Sequence, residues 1–235
     1  MTQSGGGPDL TGTTLIEGEE LTYLLRLPTL ATAKPIPALV MLHGRGANEG
    51  DIYELVSYVD QRVLVVAPRA PLLHSEDPRG SFKWYDLDPS GRVVEDLLEA
   101  SLEKLITFIE QVAQFSAVAV DPRQIYLGGF SQGAAISYAL VTTRPDLVAG
   151  VIVHSSPFAP QVEARLRGAR LHGKPFFVAH GLHDFLTIAE HGQRAARCLR
   201  EIGADVTYHE YPFAHETSPQ SRGDLAAWLN SRLSF

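Results

Sequence analysis

Five short runs of almost unbroken apolar residues, at 38–42, 63–67, 125–128, 148–153 and 176–179, recur along this chain between stretches of helical periodicity. A strand that is apolar on both of its alternating faces must be covered on both sides, which calls for a mostly parallel sheet with helices above and below. The clearest helical stretch is 94–115, where Leu97, Leu98, Leu102, Leu105, Ile106 and Ile109 repeat at three- and four-residue spacings. Further helices are predicted at 51–58, 188–202 and 219–233, and a last strand at 205–211. Residues 13–27 alternate around Glu17-Gly18-Glu19, as an antiparallel pair at the edge of the sheet would. The fold class is therefore α/β.

At 235 residues, 45% of them apolar, the chain supports one sizeable core, so residues 11–235 are expected to form a single domain behind a flexible glycine-rich start at 1–10. The net charge of −7 and the lack of Lys or Arg runs argue against nucleic acid or an anionic membrane as partner, leaving small molecules or proteins. With Cys198 as the single cysteine there is no intrachain disulfide and no cysteine-based zinc site, and packing on a helix is its expected role. No apolar stretch approaches the ~20 residues that span a bilayer, and no basic start leads into an apolar run. The expected location is cytoplasmic.

Open α/β sheets carry their chemistry in the loops at the carboxyl ends of the strands. Gly129-Phe130-Ser131-Gln132-Gly133 follows the apolar run 125–128 and precedes the Ala-rich segment 134–141, the context of a strand-to-helix elbow with Ser131 on the turn. The flanking glycines let the crowded backbone pack without a Cβ. Three more loops carry polar residues: His43-Gly44-Arg45-Gly46, His180-Gly181-Leu182-His183-Asp184 and Phe213-Ala214-His215-Glu216. A serine nucleophile needs a base, and the base a carboxylate to hold its tautomer. Ser131, Asp184 and His215 supply these in the order serine, acid, histidine, with Asp205 the best substitute for the acid. The N–H groups of Gln132 and Arg45 are the candidate oxyanion donors.

These residues resemble the phospholipase/carboxylesterase group of small α/β-hydrolases, which includes acyl-protein thioesterases and bacterial carboxylesterases. The likeness covers most of the chain and rests on Leu42-His43-Gly44-Arg45-Gly46, Gly128 to Ala134, His180-Gly181 before Asp184, and Gly203-Ala204-Asp205-Val206 leading to Tyr211-Pro212 and His215-Glu216. It implies an α/β-hydrolase fold and hydrolysis of esters or thioesters through an acyl-serine, with no metal or organic cofactor. It also implies Ser131, Asp184 and His215 as nucleophile, acid and base. Two departures stand out. Asp184 is followed by Phe-Leu-Thr-Ile where the family carries Asp-x-x-Val-Pro, and Arg45 replaces the apolar residue of the acyl-protein thioesterases. The second makes long-acyl protein substrates less expected.

The roughly twenty residues between Val153 and Phe176 are too few for a cap domain, so a shallow, open site is expected. Trp84, Tyr85, Phe158, Phe185 and Phe213, with Phe82, are candidate walls for an acyl or aryl group, and Arg45, Arg69 and Arg79 candidate cationic neighbours. The expected function is hydrolysis of small to medium acyl or aryl esters. Acyl-protein thioesterase or lysophospholipase activity, or a non-catalytic binding protein on the same scaffold, are the alternatives. His180, His183 and Asp184 mimic metal-ligand spacing, yet the expected metal is none, and His43 and His180 are expected to pack or bond to backbone. Gly44-x-Gly46 opens like a dinucleotide fingerprint but lacks its third glycine and acidic ribose ligand. A homodimer is compatible with the sequence, although no surface is marked for it.

Overall fold

The computed structural model describes residues 12–30, 35–76, 80–115 and 117–235; the start at 1–10, expected to be flexible, and Arg79 lie outside them. In chain order the strands are β1 (Thr14–Glu17), β2 (Thr22–Arg26), β3 (Ile36–Leu42), β4 (Leu64–Pro68), β5 (Leu72–Ser75), β6 (Ser81–Lys83), β7 (Val120–Phe130), β8 (Gly150–His154), β9 (Pro175–Gly181) and β10 (Asp205–Tyr211). The helices are α1 (Glu95–Ala113), α2 (Gln132–Thr143), α3 (Pro160–Arg167), α4 (Ala189–Glu201) and α5 (Pro219–Asn230). Eight strands form one sheet in the order β1-β2-β4-β3-β7-β8-β9-β10. Its first two pairings, β1 with β2 and β2 with β4, are antiparallel, and the rest are parallel.

The double apolar alternation explains the layering. Ala38, Val40 and Leu42 of β3, with Leu64 and Val66 of β4, face a core shared with α1, α2, α3 and α4. Leu39, Met41, Val63, Val65 and Ala67 face the other core, closed by Ile52 and Leu55 of a 3₁₀ turn (Asp51–Val56) and by Leu225, Trp228 and Leu229 of α5. Residues 51–58, expected to be helical, thus form a tighter and shorter turn. The hairpin of β5 and β6 and the short helix α3 carry no strong periodicity and were not expected. Helix α3 fills the place where a cap would be inserted. Its Val162 and Leu166 pack into the core shared with α1, α2 and α4, and ion pairs surround it: Arg165 bonds Glu95 and Glu99 of α1, and Glu163 bonds Arg194 of α4.

Parallel pairing brings the carboxyl ends of β3, β7, β8, β9 and β10 side by side. The loops that follow β3, β7, β9 and β10 carry Arg45, Ser131, Asp184 and His215. No helix among the described residues is long and apolar enough to cross a membrane.

Candidate active site

Ser131 sits between the end of β7 and the start of α2 with φ 54° and ψ −117°, a backbone conformation that side-chain-bearing residues avoid. Its N–H donates to the His154 carbonyl at 2.9 Å, and its carbonyl accepts from the Ala135 N–H at 3.0 Å. The flanking glycines are sterically required. A Cβ on Gly129 would lie 2.4 Å from the Gly133 carbonyl carbon, and one on Gly133 would lie 2.2 Å from the Leu42 carbonyl oxygen.

His215, in the loop after β10, donates from Nδ1 to Asp184 Oδ2 at 2.7 Å. Nε2 is thereby the ring nitrogen available as a base. Asp184 is buried. Its Oδ1 accepts from the Leu186 N–H at 3.0 Å and the Thr187 N–H at 2.8 Å, so the Phe-Leu-Thr-Ile departure folds as a tight turn around the carboxylate. The Thr187 hydroxyl reaches Oδ2 at 2.8 Å. Burial works to raise the Asp184 pKa, but the Thr187 N–H, His215 and the Thr187 hydroxyl outweigh it and hold the carboxyl below its ordinary value. Asp205, the alternative acid, opens β10 at the end away from His215 and pairs with Arg232 at 3.1 Å.

Gln132 is the first residue of α2, where a helix N–H has no partner within the helix. In the loop opposite, the Gly46 N–H goes to the Phe82 carbonyl and the Ala47 N–H to the Gly44 carbonyl. The Arg45 N–H makes no such backbone bond among the described residues. The loop is braced from below by His43, which is wholly buried: its Nε2 accepts from the Ala70 N–H at 3.0 Å and its Nδ1 donates to the Gly44 carbonyl at 2.8 Å. Burial pushes the His43 pKa down to about 4, keeping it neutral. His180 is likewise bonded to backbone, Nε2 donating to the Thr187 carbonyl.

The cleft holding Ser131 and His215 encloses about 290 Å³ and is walled by Ala47, Ile52, Leu55 and Phe130, with Arg45, Asp51, Glu54 and Glu216 among its polar lining. Sequence reasoning missed this wall. Ile52 and Leu55 belong to a turn whose apolar side was legible only as core, and Phe130 was counted as part of the elbow.

The aromatic wall expected from Trp84, Tyr85, Phe158, Phe185 and Phe213 is not what lines the cleft. Trp84, Tyr85, Phe158 and Phe213 are core residues, at most 8% exposed, while Phe185 stands 79% exposed on the acid loop. Large rings near loop positions satisfy burial first, and Trp84 commits its indole N–H to the His43 carbonyl at 2.9 Å. The cationic neighbours are also spoken for. Arg45 turns to Asp86 at 3.3 Å, and Arg69 grips the buried Glu49. Among the described residues no cluster of three or more His, Cys, Asp or Glu could hold a metal ion, and His183 is exposed whereas His180 is buried.

Missed as well was His154 at the end of β8, buried and stacked on Phe213 with ring centroids 5.7 Å apart. Its Nδ1 lies 3.1 Å from Ser155 Oγ and its Nε2 3.3 Å from Ser221 Oγ, tying the strand ends to the first turn of α5. Within a run of apolar residues it carried no signal.

Residues 30–233 match a family model described as Phospholipase/Carboxylesterase. Among curated proteins the chain is 33% identical to acyl-protein thioesterase 1 of Mycosarcoma maydis over 221 residues, covering 83% of this chain and 91% of that one. It is 30% identical to acyl-protein thioesterase 1 of Aspergillus fumigatus, with 85% and 89% covered. Among solved structures, a carboxylesterase from Mesorhizobium loti superimposes with a TM-score of 0.77 at 19% identity, over 93% of this chain and 99% of that one. The Bacillus cereus carboxylesterase gives 0.73 at 23% identity, over 90% and 94%.

Proposed function

Because this chain belongs to the phospholipase/carboxylesterase family, we propose that its serine hydrolase chemistry acts on esters of small to medium acyl groups, within a single domain spanning 11–235. Ser131 Oγ attacks the ester carbonyl while His215 Nε2 takes its proton, and the Asp184 carboxylate steadies the imidazolium. The N–H groups of Gln132 and Arg45 receive the oxyanion. Collapse of the tetrahedral species expels the alcohol, which takes the proton back from His215. Water then adds to the acyl-serine, again losing a proton to His215, and the carboxylic acid leaves as Ser131 regains its hydrogen.

The observation that carries this reading is the 2.7 Å bond from His215 to Asp184 in the same cleft as a serine held at φ 54°. Cleft size supports the acyl class. At ~30 Å³ per water-sized group, a cleft of about 290 Å³ holds a short chain and its ester, and a sixteen-carbon chain would protrude into solvent. A thioester of the same short acyl group meets the same machinery, and the thioesterase relatives favour testing it.

The test is initial rates on p-nitrophenyl esters from acetate to palmitate and on a short thioester, for the native enzyme and Ser131→Ala. Turnover peaking at short chains and lost in Ser131→Ala is expected. Native-level turnover in Ser131→Ala would overturn the mechanism, and a palmitate optimum would overturn the acyl class.

A further inference from the structure

Thr187 stands in a position that the triad alone does not require. Its side chain is buried in the acid loop, and its Oγ1 lies 2.8 Å from Asp184 Oδ2, 3.1 Å from His215 Nδ1 and 3.0 Å from the Ser155 carbonyl oxygen. A hydroxyl has one proton to give. The ionised carboxylate is the stronger acceptor and, at 2.8 Å against 3.0 Å for the Ser155 carbonyl, the nearer one. The proton therefore goes to Asp184, and Asp184 Oδ2 divides its negative charge between the Thr187 hydroxyl and the His215 ring.

We propose that Thr187 is a positioning residue for the hydrolytic reaction, its hydroxyl locking the Asp184 carboxylate against His215 and moderating how strongly that carboxylate holds a proton on the imidazole. The inference rests on the reading of Ser131, Asp184 and His215 given above. Without the hydroxyl, His215 Nδ1–H becomes the remaining side-chain donor to Oδ2, the carboxylate presents more charge to the ring, and the imidazolium form gains.

The other charged or titratable groups around His215 stay in place in this comparison. From β9, His180 Nε2 lies 3.7 Å from Asp184 Oδ2; from β8, the buried His154 is held neutral, its pKa pushed down to about 3 by burial. Glu216 follows His215 in its own loop, and Asp51, Glu54 and Arg45 line the same cleft from the β3 side. None of them bonds the Thr187 hydroxyl.

The isosteric Thr187→Val variant removes the hydroxyl and keeps the volume. Two readouts are compared with the native enzyme: the acid limb of the kcat/KM profile on a short p-nitrophenyl ester, and the titration of the His215 ring followed by NMR, its signal assigned by its loss in His215→Gln. Both midpoints should move upward together by roughly 0.5 to 1 pH unit, with kcat/KM near the native level on the alkaline plateau and several-fold lower at pH 6. Thr187→Ser, which restores the donor, should bring both midpoints back. Midpoints that stay put or move downward in Thr187→Val, or that Thr187→Ser fails to restore, would overturn the proposal. The NMR arm needs no turnover, so it reads Thr187 even if Ser131→Ala shows that the proposed chemistry is wrong.

Discussion

The side-chain amide of Gln132 grips the main chain at Trp84: Oε1 accepts the Trp84 N–H at 2.8 Å, and Nε2 donates to the next carbonyl, that of Tyr85, at 2.9 Å. The Trp84 indole N–H in turn holds the His43 carbonyl at 2.9 Å, and Ser101 of α1 donates to the Trp84 carbonyl. One candidate oxyanion residue is thus connected through Trp84 to the loop that carries the other.

Breaking this connection should damage catalysis more than substrate binding. Trp84→Phe keeps most of the packing but leaves the buried His43 carbonyl without its donor, so kcat should fall about tenfold or more with KM little changed. Stability should drop by about 1–3 kcal/mol. Steady-state kinetics and urea unfolding check both, and an unaltered kcat would sever Trp84 from the candidate oxyanion loop.

Filling the cleft should narrow the acyl range. Ala47 lines it beside Ile52 and Leu55, and its backbone is held against Phe82. Ala47→Leu adds three carbons to a cleft of about 290 Å³. Turnover of hexanoyl and octanoyl esters should fall by about tenfold, given 1–3 kcal/mol for a misfit of this kind, while acetate is hydrolysed nearly as before. Equal losses along the series would show that the acyl chain lies elsewhere.

The bond between Arg69 and Glu49 should matter for folding. Glu49 is 7% exposed beneath the candidate oxyanion loop, and Arg69 binds it through both Nε (2.7 Å) and Nη2 (2.5 Å). Arg69→Met leaves a buried carboxylate unpaired and should cost about 3 kcal/mol. Adding Glu49→Gln removes the orphaned charge and should restore part of that loss, as chemical unfolding of the single and double variants would reveal.

Two buried histidines set a pH window for stability. Burial lowers the pKa of His43 to about 4 and of His154 to about 3, whereas in the unfolded chain each titrates near ~6.5. Below that value the unfolded state binds protons that the folded state refuses. Their contribution is complete above about pH 6.5 and is lost as pH falls through the folded values. Unfolding free energies measured from pH 7.5 down to 4.5 should decline. Replacing His43 or His154 with Gln should flatten the decline, and an unchanged slope would mean that these residues charge inside the fold.

Much of this architecture is legible in the residues because burial on both faces of a strand leaves a dense apolar run. Residues 205–211 were read to their observed ends, and the elbow was readable because only glycine tolerates approaches such as 2.2 Å from a Cβ to the Leu42 carbonyl oxygen. The three polar loops were found because an open α/β sheet gathers chemistry at its strand ends. Helix α3 escapes the sequence because its eight residues bury only Val162 and Leu166, too short an apolar stripe to show a period. The wall of the cleft was misread because burial hides what a ring touches. An aromatic residue in a loop looks the same in sequence whether it lines a cleft or plugs the core, and Trp84 and Phe158 plug the core.

What the sequence determined by itself was the succession of the eight main-sheet strands and of helices α1, α2, α4 and α5, the strained serine turn, and the set of polar residues at the strand ends, because these follow from local periodicity and backbone sterics. The tertiary structure alone decided which of those residues meet. The 2.7 Å bond from His215 to Asp184, the hydroxyl of Thr187 beside that pair and the cleft walled by Ile52, Leu55 and Phe130 join segments far apart in the chain. Their spacing depends on how parallel strands pack side by side, which local residue patterns do not encode.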